Sequence, residues 1–287
     1  MRNLLKSGLR RLVSQPLSTR PIGDRHAHVL AVAAQKGGVG KTTTSVSLAS
    51  AFARYHGKRV LLVDLDPQGH VATALAAQTT DGGGSLARVL TDAAAALEVM
   101  DIATPTSIEG LDITPLDPRL AEAEDLLSTR IGKEFILRDA LKTTRSHYDV
   151  IVLDCPPNQG NLALNGLCAA DSVVIPCDPS PLALKGVDAL VQTIAKVAVR
   201  LNPEIDVLGI LMTRVDGRNR SLNDAIAAEI SERYGDAVLD ATIGINSSLG
   251  KAQLAGTDIF GFDENSRGAV QYRALASELV TAVAGAR

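Results

Sequence analysis

Val29-Leu30-Ala31-Val32-Ala33-Ala34-Gln35-Lys36-Gly37-Gly38-Val39-Gly40-Lys41-Thr42-Thr43 is the stretch on which the fold turns. Its apolar opening predicts a strand over residues 29 to 34, covered on both faces. Glycines at 37, 38 and 40 follow, and then Ser45, Leu48, Ala49 and Phe52 fall on a helical pattern. Strand, glycine loop and helix in that order make a phosphate-binding arrangement. Glycines let backbone N–H groups turn inward, the helix N-terminus adds partial positive charge, and Lys41 supplies a point charge for β- and γ-phosphates. Thr42 offers its hydroxyl to Mg²⁺. The residues expected to hold the nucleotide are Gly37, Gly38, Val39, Gly40, Lys41, Thr42 and Thr43, with ATP and Mg²⁺ as cofactors. The usual pattern G-x-x-x-x-G-K-[ST] asks for glycine at position 35, where this chain has Gln35, and a second lysine, Lys36, stands beside the glycines.

Two further strand ends carry carboxylates. Leu61-Leu62-Val63-Asp64-Leu65-Asp66-Pro67-Gln68-Gly69 reads as a buried strand closing in two acids and a turn. A carboxylate there faces the γ-phosphate side and orients the attacking water, a role expected of Asp66, with Asp64 structural. Tyr148-Asp149-Val150-Ile151-Val152-Leu153-Asp154-Cys155-Pro156-Pro157-Asn158 has the form of a Walker B strand. Asp154 is expected to reach Mg²⁺ through its water shell, and the two prolines stiffen a loop able to sense the γ-phosphate. Taken singly, each is also explained by a turn-capping Asp or by a strand that happens to end in one. Taken with the glycine loop, they point to phosphoryl transfer.

Outward from these motifs, apolar β-rich runs alternate with helical patterns. Runs over 111–116, 172–177, 207–213 and 238–243 join those over 29–34, 60–64 and 150–154. This grammar predicts an α/β fold: a mostly parallel twisted sheet flanked by helices on both faces, with right-handed crossovers and ligands at the carboxyl ends of the strands. Residues 78–110, with Gly82-Gly83-Gly84 and Ala93 to Ala96, read as a loop and helix inserted between core strands. Hydrophobic residues make up 46% of the 287 and charged residues 21%, which supplies a sizeable core and argues against wholesale disorder. A single domain over 28–287 is expected.

Net charge is −3, so any nucleic-acid contact must come from a local patch. Cys155, Cys168 and Cys177 lack the paired spacing of a metal site and read as reduced core thiols of a cytoplasmic protein. No run approaches the roughly 18 apolar residues of a membrane span. Residues 1–27 read as a basic arm. Up to position 23 they hold Arg2, Lys6, Arg10, Arg11 and Arg20 and no acid, and Leu4, Leu5, Leu9, Leu12 and Val13 recur at helical spacing. Such an arm is either a basic amphipathic helix for a membrane surface or partner groove, or a solvated tail.

Over residues 29 to 283 the chain resembles the ParA/MinD family of deviant Walker A ATPases, and within it the ParA/Soj partition branch. The resemblance rests on the Lys36 loop, the Asp64-Leu65-Asp66-Pro67-Gln68-Gly69 run, Asp154-Cys155-Pro156-Pro157, Leu201-Asn202-Pro203 and Thr213-Arg214-Val215-Asp216-Gly217-Arg218. It implies that Lys36 reaches across to the partner's nucleotide in an ATP-sandwich homodimer and that Asp66 activates the hydrolytic water. Lys36, Lys41 and Asp66 are then the catalytic set. It also implies slow hydrolysis stimulated by a ParB-like adaptor or cargo protein, ATP-dependent binding to non-specific DNA, and a nucleoid-associated location. Arg214, Arg218 and Arg220 form a basic loop suited to phosphates, and Arg218 corresponds to a family DNA-contact arginine. The second such arginine of the family has no counterpart here, where the stretch reads Ile243-Gly244-Ile245-Asn246-Ser247-Ser248; Lys251, Arg267 and the arm are the available substitutes. The alternative is a MinD-like membrane-surface ATPase using the N-terminal arm. The basic amphipathic C-terminal tail of MinD-type proteins is not matched by Leu275 to Arg287, whose charges are Glu278 and Arg287.

Overall fold

The structure is a computed structural model and describes residues 23–79, 83–180 and 182–284, apart from the side chains of Arg220, Leu222 and Ala284. The first 22 residues of the expected arm lie outside it. The remainder of that arm is packed against the fold. Gly23 N–H donates to Ser146 Oγ, Arg25 and Ala27 pair through their backbones with Ser146 and Arg145, and the Arg25 guanidinium meets Asp149 at 2.6 Å.

Strands β1 (His28–Val32), β2 (Val60–Asp64), β3 (Thr104–Pro105), β4 (Leu111–Ile113), β5 (Val150–Asp154), β6 (Ser172–Cys177), β7 (Asp206–Val215) and β8 (Val238–Gly244) form one sheet in the order β3-β4-β2-β5-β1-β6-β7-β8. All neighbours are parallel except β3 against β4. The expected sheet is therefore present, with one antiparallel edge strand that the sequence did not announce. Within 78–110 the expected helix falls over Leu86–Thr91, and the alanine run forms a separate 3-10 turn over Ala93–Ala95, where the Asp92 side chain accepts from the Ala95 amide and Ala96 leaves helical geometry at φ 46.

Alternate residues of the central strands feed two separate cores. Val29, Ala31, Ile151, Leu153, Val173 and Ile175 belong to one face; Leu30, Val32, Val150, Val152 and Val174 belong to the other. Both faces are dry, which is why these strands read as continuous apolar runs. On the second face lie α1 (Lys41–His56) and α11 (Arg267–Ala284), joined where Phe52 and Tyr272 are fully buried and Thr44 Oγ1 meets the Tyr272 hydroxyl at 3.1 Å. Losing a buried aromatic such as Phe52 costs about 3–5 kcal/mol in comparable cores, so the helix that follows the glycine loop is firmly seated. On the first face pack α3 (Leu86–Thr91), α5 (Ile136–Ala140), α6 (Asn161–Ala169), α7 (Ala183–Arg200) and α8 (Arg220–Tyr234). The short helices α2 (His70–Ala74), α4 (Leu120–Ser128), α9 (Ser247–Leu254) and α10 (Ile259–Asp263) complete the described set. The three cysteines are free and buried, as expected of core thiols, and burial pushes the Cys168 thiol up to about 11 and the Cys177 thiol up to about 12. Among the described residues no helix is long and apolar enough to cross a membrane.

Candidate nucleotide site

Strand register brings the three motifs together. β5 lies between β1 and β2, with Asp154 opposite Val32 on one side and Asp64 on the other. The strand that feeds the glycine loop and the strand that ends in Asp64 and Asp66 thus flank the Asp154 carboxyl.

The loop takes the shape its glycines permit. Gly38 and Gly40 have φ of 76° and 91°, where a side chain is strained, and a Cβ at Gly37, Gly38 or Gly40 would meet nothing within 4 Å. Open space here is room for a ligand against bare backbone. Gly40 caps α1 without any side-chain hydrogen bond, so the first-turn amides of this 16-residue helix are left for an anion.

Charges converge on that space. Lys41 is buried, and its Nζ has one long contact, 3.4 Å to the Lys36 carbonyl. Burial lowers its affinity for the proton, while the carboxylates of Asp154 and Asp66 and the Cys155 thiol act in the opposite sense. Asp154, fully buried, accepts from Thr42 Oγ1 at 2.7 Å and from Ser45 Oγ at 2.9 Å. Burial pushes its carboxyl up to about 6 against those two hydrogen bonds and the Lys41 charge. Asp64 is raised well above the carboxylate range by burial and then by Asp154. Its two oxygens take the amides of Asp66 and Val71, at 2.9 and 3.0 Å, so it braces the turn after β2. Asp66 is half-buried, and its Oδ1 accepts from the Gln68 amide at 3.0 Å.

Buried carboxyls outnumber the one nearby ammonium, an imbalance that a divalent cation relieves. Among the described residues no three His, Cys, Asp or Glu side chains are grouped to hold a metal alone. Mg²⁺ keeps waters and shares its shell with phosphate oxygens, so it asks few ligands of the protein. Glycine cradle, buried lysine and the Thr42–Asp154 pair together fit a magnesium nucleotide.

The other predicted residues hold different positions. Lys36 is folded back within its own chain, with Nζ at 2.7 Å from Asp178 Oδ2 and 3.2 Å from Ser180 Oγ. Arg214 donates to the Gly38 carbonyl at 3.0 Å, on the outer side of the loop. Arg218 is 86% exposed and makes a two-pronged pair with Asp216. Arg220 opens α8, its side chain outside the described set. Three contributors escaped the sequence reading. Ser45 follows Thr42 by three residues and so shares its helix face, a spacing that could have revealed it. Asp178 is one more carboxylate directly after a strand. Thr213, whose hydroxyl donates to the Val39 carbonyl at 2.7 Å, gave no sign.

These parts define a P-loop ATPase with a place for nucleotide and Mg²⁺, and comparison with known proteins narrows the class. A family profile described as an AAA domain matches residues 27–207. The sporulation initiation inhibitor protein Soj of Bacillus subtilis is 40% identical over 251 residues, covering 88% of this chain and 97% of Soj. The chromosome partitioning protein ParA of Caulobacter vibrioides is 38% identical over 255 residues, covering 88% and 94%. Among solved structures, cobyrinic acid a,c-diamide synthase from Mycobacterium smegmatis with bound ATP analog and magnesium superposes with a TM-score of 0.76 at 35% identity, over 91% of this chain and 97% of that one. The chain belongs to the ParA/MinD family of ATPases.

Proposed function

We propose that this protein is a partition-type ATPase: it closes into a homodimer on ATP, binds duplex DNA without reading its sequence, and positions a plasmid, chromosome locus or protein cargo on the nucleoid. Hydrolysis is slow and is stimulated by a ParB-like adaptor. The observation that carries this reading is the contrast between the two lysines of one loop. Lys41 is buried against the carboxylates and serves its own chain's site. Lys36 stands at the rim with a side chain 41% exposed, held by Asp178 and Ser180 and by nothing in the phosphate cradle. A lysine held at the rim, away from the carboxylates that Lys41 faces, is placed to serve another chain's nucleotide. A metabolic ligase using the same loop would not call for Lys36 in trans.

Bound ATP supplies the phosphoryl group whose transfer to water is the reaction, and Mg²⁺ neutralises charge on it. The amides from Gly37 to Thr43 bind the phosphates, Lys41 balances their charge, and Thr42 with Asp154 forms the metal side. Asp66 orients the attacking water. Lys36, released from Asp178, enters the partner's site and completes both halves at once, so catalysis waits on dimer closure. Residues 28–287 form the ATPase domain in this reading, with the sequence before them an appended basic arm.

Binding to random-sequence duplex DNA with ATP, with ADP and without nucleotide, across a salt series, tests the proposal. ATP-specific binding that weakens steeply with salt is expected. Absence of binding in every state would end the nucleoid reading and shift attention to a membrane surface and the N-terminal arm.

A further inference from the structure

Consecutive residues of a regular strand point to opposite faces of the sheet. Thr213 and Arg214, near the end of β7, instead reach the same loop. Thr213 Oγ1 donates to the Val39 carbonyl at 2.7 Å, and Arg214 Nη1 donates to the Gly38 carbonyl at 3.0 Å. Two backbone features make this possible. The pairing of β7 with β8 slips between Met212 and Val215, which face Thr242 and Gly244, so β7 spends one residue more than its neighbour. Arg214 itself sits at φ 54, in the left-handed region that side chains avoid. A bulge re-aims side chains, and a strained residue persists only where its surroundings hold it.

The two acceptors are adjacent carbonyls of the phosphate loop. In a planar trans peptide the C=O and the following N–H point in opposite directions. A donor that fixes the Gly38 carbonyl outward therefore aims the Val39 amide inward, and the Val39 carbonyl does the same for the Gly40 amide. Thr213 is buried and inseparable from the packing of β7, whereas Arg214 is exposed and touches the loop with its tip alone.

We propose that Arg214 is a positioning residue of the nucleotide site, whose guanidinium presets the phosphate loop, and that it does not belong to the DNA-facing set with Arg218. The inference rests on the nucleotide reading of the loop and is independent of DNA binding. Its test is titration of fluorescent ADP and of a slowly hydrolysed ATP analogue with Mg²⁺, on the full chain and on Arg214→Ala, Arg214→Lys and Arg214→Gly, with Tm measured for each. Nucleotide affinity should fall about 3- to 10-fold in the Ala and Gly variants and recover in part with Lys. Arg214→Gly should at the same time raise Tm by about 2 °C, because glycine takes the left-handed backbone without strain. Binding and stability then move in opposite directions, which a merely structural arginine would not do. Affinity that tracks Tm across the three variants would overturn the proposal. So would unchanged nucleotide affinity accompanied by weaker binding to random duplex DNA at saturating nucleotide. A parent chain that binds neither nucleotide would instead overturn the site reading itself.

Discussion

The tips of β1, β2 and β5 and the tips of β7 and β8 belong to the same sheet, yet they spend their polar groups differently. At the first set, partners come from far apart in sequence: Thr42 and Ser45 meet Asp154 across 112 and 109 residues, and Lys36 meets Asp178 across 142. At the second, Arg218 pairs with Asp216 and Asn246 caps the amide of Ser248, each two residues away. Buried polar groups must be satisfied, so the first constellation exists only if the topology assembles it. The local, exposed pairs of the second cost little to form or to change. Chemistry that depends on fixed geometry suits the first region, and the proposed contact with a polyanion, which needs adjustable side chains, suits the second. Thr213 and Arg214 are the direct link from β7 to the phosphate loop.

The comparison breaks most visibly if the rim lysine proves idle. Lys36→Ala should leave nucleotide affinity within about threefold while steady-state hydrolysis falls about 10³-fold, on the scale of a charge supplied in trans to phosphoryl transfer. Loss of the ATP-dependent dimer, followed by light scattering, should accompany it. Normal turnover in this variant would refute a role across the dimer. Asp66→Ala should cost about 10²-fold in turnover and leave the ATP-bound dimer longer-lived, since water is no longer oriented while Lys41 and the amide cradle are intact. A variant that no longer dimerises would assign Asp66 to binding instead.

At the outer edge the effects should be smaller and of another kind. Arg218→Ala should weaken binding to random duplex DNA about 3- to 10-fold and lower the slope of log affinity against log salt by about one, with nucleotide affinity unchanged. A change in nucleotide affinity would show that the two regions are not separable at this residue.

What the sequence disclosed follows the same division. β2, β5 and β6 were legible to the residue because each is buried on both faces and bounded by a turn or a carboxylate. The glycine loop was legible because Gly38 and Gly40 take a left-handed backbone that side chains rarely adopt, and Asp154 because a charge at the end of an apolar run is conspicuous. The edge strand β3 was hidden, since Thr104–Pro105 is too short for any periodicity and contains a proline. The direction of Arg214 was hidden too. It follows from a register slip against β8 and from a left-handed backbone at a residue that does not advertise one. Lys36 stood out in the sequence as a second lysine in the loop but its cis partner did not, because Asp178 comes beside it only through the pairing of β1 with β6.

The smallest expected effect concerns the acid inside the basic loop. Asp216 accepts from the Arg218 backbone amide and from its guanidinium, and these hydrogen bonds hold the Asp216 carboxyl below the usual carboxylate range. The pair is surface-exposed, so its contribution to folding is small, but it occupies the Nε–Nη2 edge of Arg218, one of the two edges that a phosphate could take, and puts a negative charge beside the other. Asp216→Asn keeps an acceptor for the amide and removes the competing charge. DNA affinity should therefore rise about twofold at low salt, and the gain should fade as salt screens both partners. The Asp216 backbone carbonyl, which accepts from Asn223 Nδ2 and from the Asn219 amide, is untouched by the substitution, so the loop should keep its shape. An affinity that falls instead would mean that Asp216 orients Arg218 toward DNA, and the outer edge would then be as preorganised as the phosphate loop.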